Sequence, residues 1–218
     1  MPSDGTVLQR LRTQLRFRWA ALRNEDDVLG RGGVPLDVLA QQLAGKRVAL
    51  VGNARALEHR DFGAQINAAD VVIRINRAPR PSVRSHGART DWLALATSLS
   101  GAAFDDIGAA HLIWMSHKRK RLRLWMARPA RFTLFPADRY QALKSTMGAQ
   151  PTTGAMLVAW LSDTDLAQLD LWGFDFFASL SLSGGRDAGR VPHDFSAEAK
   201  FVTGVCARDP RVIHHPME

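Results

Sequence analysis

The chain has 218 residues, 46% hydrophobic and 23% charged, an ordinary globular composition that suffices for one α/β core and excludes predominant disorder. Its 29 Lys+Arg against 21 Asp+Glu give a formal charge of +8, concentrated in two stretches, Arg10 to Arg23 and His117 to Arg131. A single cysteine, Cys206, excludes an intrachain disulfide and a multi-cysteine zinc site; no apolar run approaches the roughly 18 residues of a membrane span, and the arginine-dotted start has no signal-peptide core, so a cytoplasmic location is expected.

At the amino terminus, Val7, Leu8, Leu11, Leu15, Trp19 and Leu22 recur at helical spacing among Arg10, Arg12, Arg16, Arg18 and Arg23. This pattern predicts a basic amphipathic helix. Two uses stay open for it: peripheral contact of residues 1–23 with an anionic membrane surface, or packing on the domain with solvated arginines. Gly30, Gly32 and Gly33 make 24–33 read as a linker, so residues 1–33 precede a single domain over 34–218. A helix is predicted at 34–44. The apolar run Val48 to Val51, closed by Gly52 and Asn53, reads as a buried parallel strand whose carboxyl end opens into a ligand crevice. Glycine there lets backbone approach a ligand, and asparagine offers donors and acceptors.

Further strands are predicted at 70–75, 92–96, 111–116, 132–135, 169–172 and 212–214, and helices at 118–127, 153–162 and 195–207. Strands separated by helix-length segments imply a Rossmann-like α/β fold with one mostly parallel sheet flanked by helices. Lys118 to Arg123 read as a solvated helix face or as an attractor of an acidic acceptor; no nucleic-acid partner is expected.

Pro151 is followed by Thr152, Thr153 and Gly154 and then by a mostly apolar helical stretch. Either threonine suits an N-cap, and the N–H groups of that helix start form an anion site. Ser- and Gly-rich residues 180–192 suit a mobile cover. His193 has the side chain for proton abstraction near neutrality, with Glu198 five positions later. An anion cradle with a base implies group transfer. Other chemistries fit less well. Gly52 is not followed by spaced glycines and no GxxxxGK[ST] occurs, which disfavours NAD and ATP. Asp163-Thr164-Asp165 has a DxD form but precedes a strand, at the wrong end of the sheet for a ligand, and reads as a solvated turn. Adjacent His214 and His215 face opposite ways in a strand and suit packing or surface roles rather than one metal. No metal site and no cofactor are expected. Asp70 after the first strand hints at a methyltransferase using S-adenosylmethionine, but the glycine-rich loop is missing.

The stretch VALVGNARAL at 48–57, with Asp70 to Pro79 and Gly87 to Thr90, resembles the large sialylmotif of the sialyltransferases of glycosyltransferase family 29. Pro151 to Gly154 and Leu171 to Phe174 resemble the small sialylmotif, and His193 with Glu198 fits the very small motif, HxxxxE. The three occur in the family's order over residues 48–198. The resemblance implies the GT-A-like variant of the fold found in sialyltransferases. It also implies an inverting, metal-independent enzyme that moves a nonulosonic (sialic) acid from a CMP-linked donor to a hydroxyl of a glycan or glycolipid acceptor. In that reading Gly52, Asn53, Asn76, Thr152, Thr153, Gly154, Gly173 and Phe174 bind CMP, and His193 is the catalytic base. Glu198 is structural support. Plainer roles stand beside these: turn closure for Asn53 and Asn76, capping for Thr152 and Thr153, an exposed loop histidine for His193.

The departures from the family pattern carry information too. Val48 and Leu166 occupy the positions of a cysteine pair of animal members, as expected where packing replaces a disulfide in a reducing cell. Residues 175–192 show no counterpart of the family's third motif. Without the anchor and stem of Golgi members, the chain resembles a bacterial, cytoplasmic version, peripheral to the inner membrane at most. A CMP-Kdo-dependent transferase is the near alternative, since it needs the same cradle and base. A non-catalytic basic binding module on the same fold is the distant one.

Overall fold

The computed structural model describes residues 4–176 and 194–217, with side chains from residue 7 onward. Seven strands form one sheet: β1 (Arg47–Val51), β2 (Val71–Ile75), β3 (Trp92–Leu95), β4 (His111–Trp114), β5 (Phe132–Leu134), β6 (Gln168–Trp172) and β7 (Val212–His214). Their order is β5-β4-β3-β2-β1-β6-β7, and every pairing is parallel. The sheet expected from the apolar runs is thus wholly parallel, and its middle strands are mostly apolar because both faces are covered.

Nine helices pack around it: α1 (Asp4–Arg23), α2 (Asp26–Leu29), α3 (Leu36–Gln41), α4 (Gly63–Asn67), α5 (Val83–His86), α6 (Gly101–Ile107), α7 (Ala137–Met147), α8 (Thr153–Ser162) and α9 (Phe195–Arg208), counted among the described residues. Strand alternation sorts the core into two faces. On one, Val48, Leu50, Ile73 and Leu171 meet Leu39 of α3, Leu143 of α7, Leu157 of α8 and Val202 of α9. On the other, Ala49, Val51 and Val72 meet Ile66 of α4. Further along that second face, Leu93 and Trp114 meet Phe104 of α6 and Phe17 of α1. The apolar pair Val48 and Leu166 lies fully inside the first of these clusters.

The chain winds outward from β1 to β5, then returns through α7 and α8 to lay β6 against the other side of β1. The winding direction therefore reverses between β1 and β6. In open parallel sheets ligands bind at such a reversal, at the carboxyl ends of the strands.

Two sequence expectations fail here. The helix predicted at 118–127 is a single 3-10 turn, Arg119–Arg121, followed by loose turns. Arg119, Leu122 and Met126 do point inward at helical spacing, which explains the pattern. What holds the segment is Arg119, 1% exposed, which donates to both carboxylate oxygens of Asp26 at 2.8 and 2.6 Å and to the carbonyls of Ser116 and Phe135. Crowded like charges at 118–123 also oppose a regular helix. The second failure follows from the first. Residues 24–33, expected as a linker, include α2, whose Asp26 takes that guanidinium and whose Leu29 is buried among Phe17, Ala20, Ala21 and Trp114. The amino-terminal segment is docked on the sheet rather than tethered to it.

Candidate active site

The site grows from β1. Its carboxyl end runs into Gly52, whose N–H donates to the Trp172 carbonyl at 2.7 Å, while Ala54 N–H donates to the Gly173 carbonyl at 3.1 Å. The loops leaving β1 and β6 are therefore laced together at the winding reversal. A Cβ on Gly52 would stand 2.3 Å from the Gly173 oxygen. The glycine expected to admit a ligand thus first admits the neighbouring loop. Gly173 itself has φ +69, a conformation that favours glycine.

Asn53 and Asn76 come from adjacent strands. Asn53 is 8% exposed, and its Nδ2 donates to the Ile75 carbonyl at 3.3 Å. Asn76 has φ 54, which asparagine tolerates better than most residues. Its Oδ1 accepts from Ala96 N–H at 3.0 Å. Each amide closes a turn, and among the described residues no hydrogen bond is made by the Oδ1 of Asn53 or the Nδ2 of Asn76. The neighbouring Arg74 is buried and holds the other half of the large motif. Its Nε donates to the Arg89 carbonyl at 3.0 Å and to Thr90 Oγ1 at 3.1 Å. Desolvation by burial, reinforced by Arg80, lowers its pKa to about 10.

Thr152 caps α8, its Oγ1 accepting from Ala155 N–H at 3.1 Å. The same hydroxyl donates to Glu198 Oε1 at 2.7 Å. A hydroxyl has one proton, so in this structure the Thr152 proton is directed at Glu198. With Ala155 capped, the N–H groups of Thr153 and Gly154 are those that helix geometry leaves unpaired at this end. N–H groups of this kind, with the positive pole of a helix behind them, favour an anion. A Cβ on Gly154 would come within 2.8 Å of the Phe174 ring, so α8 starts directly against the loop after β6. His214 Nε2 donates to the Phe174 carbonyl at 2.6 Å, fixing that loop from the next strand.

Glu198 sits in the first turn of α9, whose N-cap Asp194 accepts from Ala197 N–H at 2.9 Å. It is 6% exposed, and its Oε2 is buried without a hydrogen-bond partner. Burial raises its pKa from 4.5 to about 7, opposed by the Thr152 hydroxyl. His193 and the cover expected at 180–192 lie outside the described residues, as does most of the stretch where the third motif is missing. Among the described residues no three His, Cys, Asp or Glu side chains gather to hold a metal ion. Asp163 and Asp165 follow α8 at the opposite, amino-terminal edge of the sheet, where Asp165 accepts from Gly45 N–H.

Residues 34–124 match the family model of glycosyltransferase family 29 (sialyltransferase). Over that stretch the chain is similar to the sialyltransferases of this family. Two solved structures of mammalian sialyltransferase share its fold. One is 16% identical with a TM-score of 0.59, over 82% of this chain and 71% of that one. The other, in complex with Gal-beta-1-3GalNAc-ortho-nitrophenol, is 17% identical with a TM-score of 0.57, over 82% and 72%. No curated protein sequence matches the chain.

Two features of this site have no clear mark in the sequence. His214 was assigned to packing or surface, yet it holds the Phe174 loop. Its signal was only a histidine at the end of a strand neighbouring a motif strand. Its neighbour His215 donates to Asp170 at 2.8 Å and stacks on Trp172 at 3.5 Å between ring centroids, so the two histidines do face apart. The Thr152–Glu198 bond joins residues 46 apart and has no local signal at all.

Proposed function

We propose that this chain is a sialyltransferase that moves a nonulosonic acid from a CMP-linked donor to a glycan hydroxyl, with inversion at the anomeric carbon and without a metal. The observation that carries the reading is the meeting of three motif segments, Gly52–Asn53, Thr152–Gly154 and Gly173–Phe174, at the winding reversal. The CMP phosphate takes the N–H groups of Thr153 and Gly154. The ribose takes the Asn53 acceptor and the Asn76 donor, and Gly173 with Phe174 borders the cytosine.

In the transfer step the acceptor oxygen forms its bond to the anomeric carbon as the bond from that carbon to the phosphate oxygen breaks. The electron pair leaves on CMP. His193 takes the acceptor proton, a general-base contribution of about 10² to 10⁴ in rate. The charge growing on phosphate meets donors already aimed at it, each typically worth about 10² to 10³. That is work a metal would otherwise do. The acceptor carried by the mammalian structure supports a glycan acceptor class here.

The test is product formation. Purified protein is incubated separately with CMP-Neu5Ac and CMP-Kdo and with oligosaccharide or lipid-linked acceptors, and CMP release is measured. Turnover with CMP-Neu5Ac, falling at least about 100-fold in His193→Ala, is expected. Turnover with CMP-Kdo alone would reassign the donor. No turnover by the wild type, or unchanged turnover in His193→Ala, would overturn the mechanism.

A further inference from the structure

Helix α1 buries one side and leaves the opposite side uncovered. Phe17, Ala20 and Ala21 pack into the core, while Val7, Leu8, Leu11, Leu15, Trp19 and Leu22 are 45% to 64% exposed. From Leu8 the exposed residues step by 3, 4, 4 and 3, so they fall on one continuous stripe along the helix. Isolated exposed leucines need no explanation, but an unbroken apolar stripe on a docked helix does.

The charges around the stripe say what covers it. From Gly5 to Arg23 there are five arginines and no acidic residue. By helix geometry Arg12, Arg16 and Arg23 border the Trp19 side, Arg18 borders the Leu11 side, and Arg10 lies beyond it. Arg23 has an ion pair with Glu25 at 3.7 Å that is open to solvent on both sides. The basic loop packed next to α1 extends the same sign, with Lys118, Lys120, Arg121 and Arg123 exposed. A second copy docked by this stripe would bring arginines against arginines with no carboxylate between them. An anionic bilayer offers the opposite: acyl chains for the leucines, headgroup phosphates for the guanidinium groups at the ends of their apolar stems, and an interface suited to Trp19.

We infer that α1 is a membrane-docking helix that lies in the plane of an anionic lipid surface while its other side stays packed on the catalytic domain. Among the described residues no helix is long and apolar enough to cross a membrane, so the contact is peripheral. The inference does not depend on which sugar is transferred, and its test reads no activity.

The full chain is sedimented with phosphatidylcholine vesicles and with phosphatidylcholine–phosphatidylglycerol vesicles, at low and high salt. Binding should require phosphatidylglycerol and weaken with salt. Leu15→Glu/Trp19→Glu should lower partitioning at least about tenfold, and Arg12→Gln, Arg16→Gln and Arg23→Gln about fivefold each. Circular dichroism and melting checks that the variants fold. Absence of wild-type binding to phosphatidylglycerol vesicles overturns the inference, as does binding by properly folded variants equal to wild type. A wild-type dimer in light scattering that Leu15→Glu/Trp19→Glu converts to monomer, with no vesicle binding, would assign the stripe to a second copy instead.

Discussion

Replacing Glu198 by glutamine should remove a pH dependence of stability that this one carboxyl creates. The group is 6% exposed, and among the described residues it accepts one hydrogen bond, from Thr152, and has its second oxygen buried without a partner. Burial raises its pKa from 4.5 to about 7 against the pull of that hydrogen bond. In the unfolded chain the carboxyl ionises near its ordinary value, so between about pH 4.5 and 7 the folded state holds a proton that the unfolded state has released. Stability then falls as pH rises through that window and levels off above it. A displacement of this size corresponds to about 3 kcal/mol. Glutamine keeps an oxygen for Thr152 and cannot ionise. The Glu198→Gln variant should match wild type near pH 4 and exceed it by up to about 3 kcal/mol at pH 8. Urea denaturation followed by tryptophan fluorescence at several pH values measures the difference. A gap between the two proteins that does not change with pH would refute the reasoning.

Gly52→Ala places a methyl 2.3 Å from the Gly173 carbonyl oxygen and must part the β1 and β6 loops, at about 1–3 kcal/mol or more; its melting temperature and its CMP affinity by calorimetry should both fall. Gly101→Ala, with open space around it, is the control and should melt within a degree or two of wild type, about the effect of a few tenths of a kcal/mol; equal melting of the two variants would show that the loop contact does not constrain the site. Asp26→Ala leaves the buried Arg119 guanidinium without its carboxylate and, with Asp26 itself a third exposed, should destabilise by about 2–3 kcal/mol. Arg119→Met should restore part of that loss in the double variant, and strictly additive denaturation energies would show that the pair is not coupled.

How much could be read without coordinates depended on range. Val48 to Val51 is an apolar run, and Val71 to Ile75 and Leu169 to Trp172 are apolar apart from the buried Arg74 and Asp170; all became central strands because burial on both faces imposes that composition locally. Thr152 and Thr153 both offered a cap ahead of the apolar stretch of α8, and the structure uses Thr152. The short helices α4, α5 and α6 gave no such signal, since four to seven residues hold too little periodicity to stand out from loop. The stretch 118–127 misled for the converse reason. Arg119, Leu122 and Met126 keep helical spacing, but it is the bond from Arg119 to Asp26, 93 residues away, that fixes the backbone.

The amino-acid order alone determined the strands, the start of α8 to within its two threonines, the motif residues and the apolar stripe of α1, since each depends on neighbours within a turn or a strand. Only the folded chain decided which loops touch, which end of each asparagine amide is spent on a turn, that the Thr152 proton belongs to Glu198, and which side of α1 faces water. These are set by the winding reversal that lays β6 beside β1 and by contacts between segments far apart in sequence, and such contacts leave no mark on local composition.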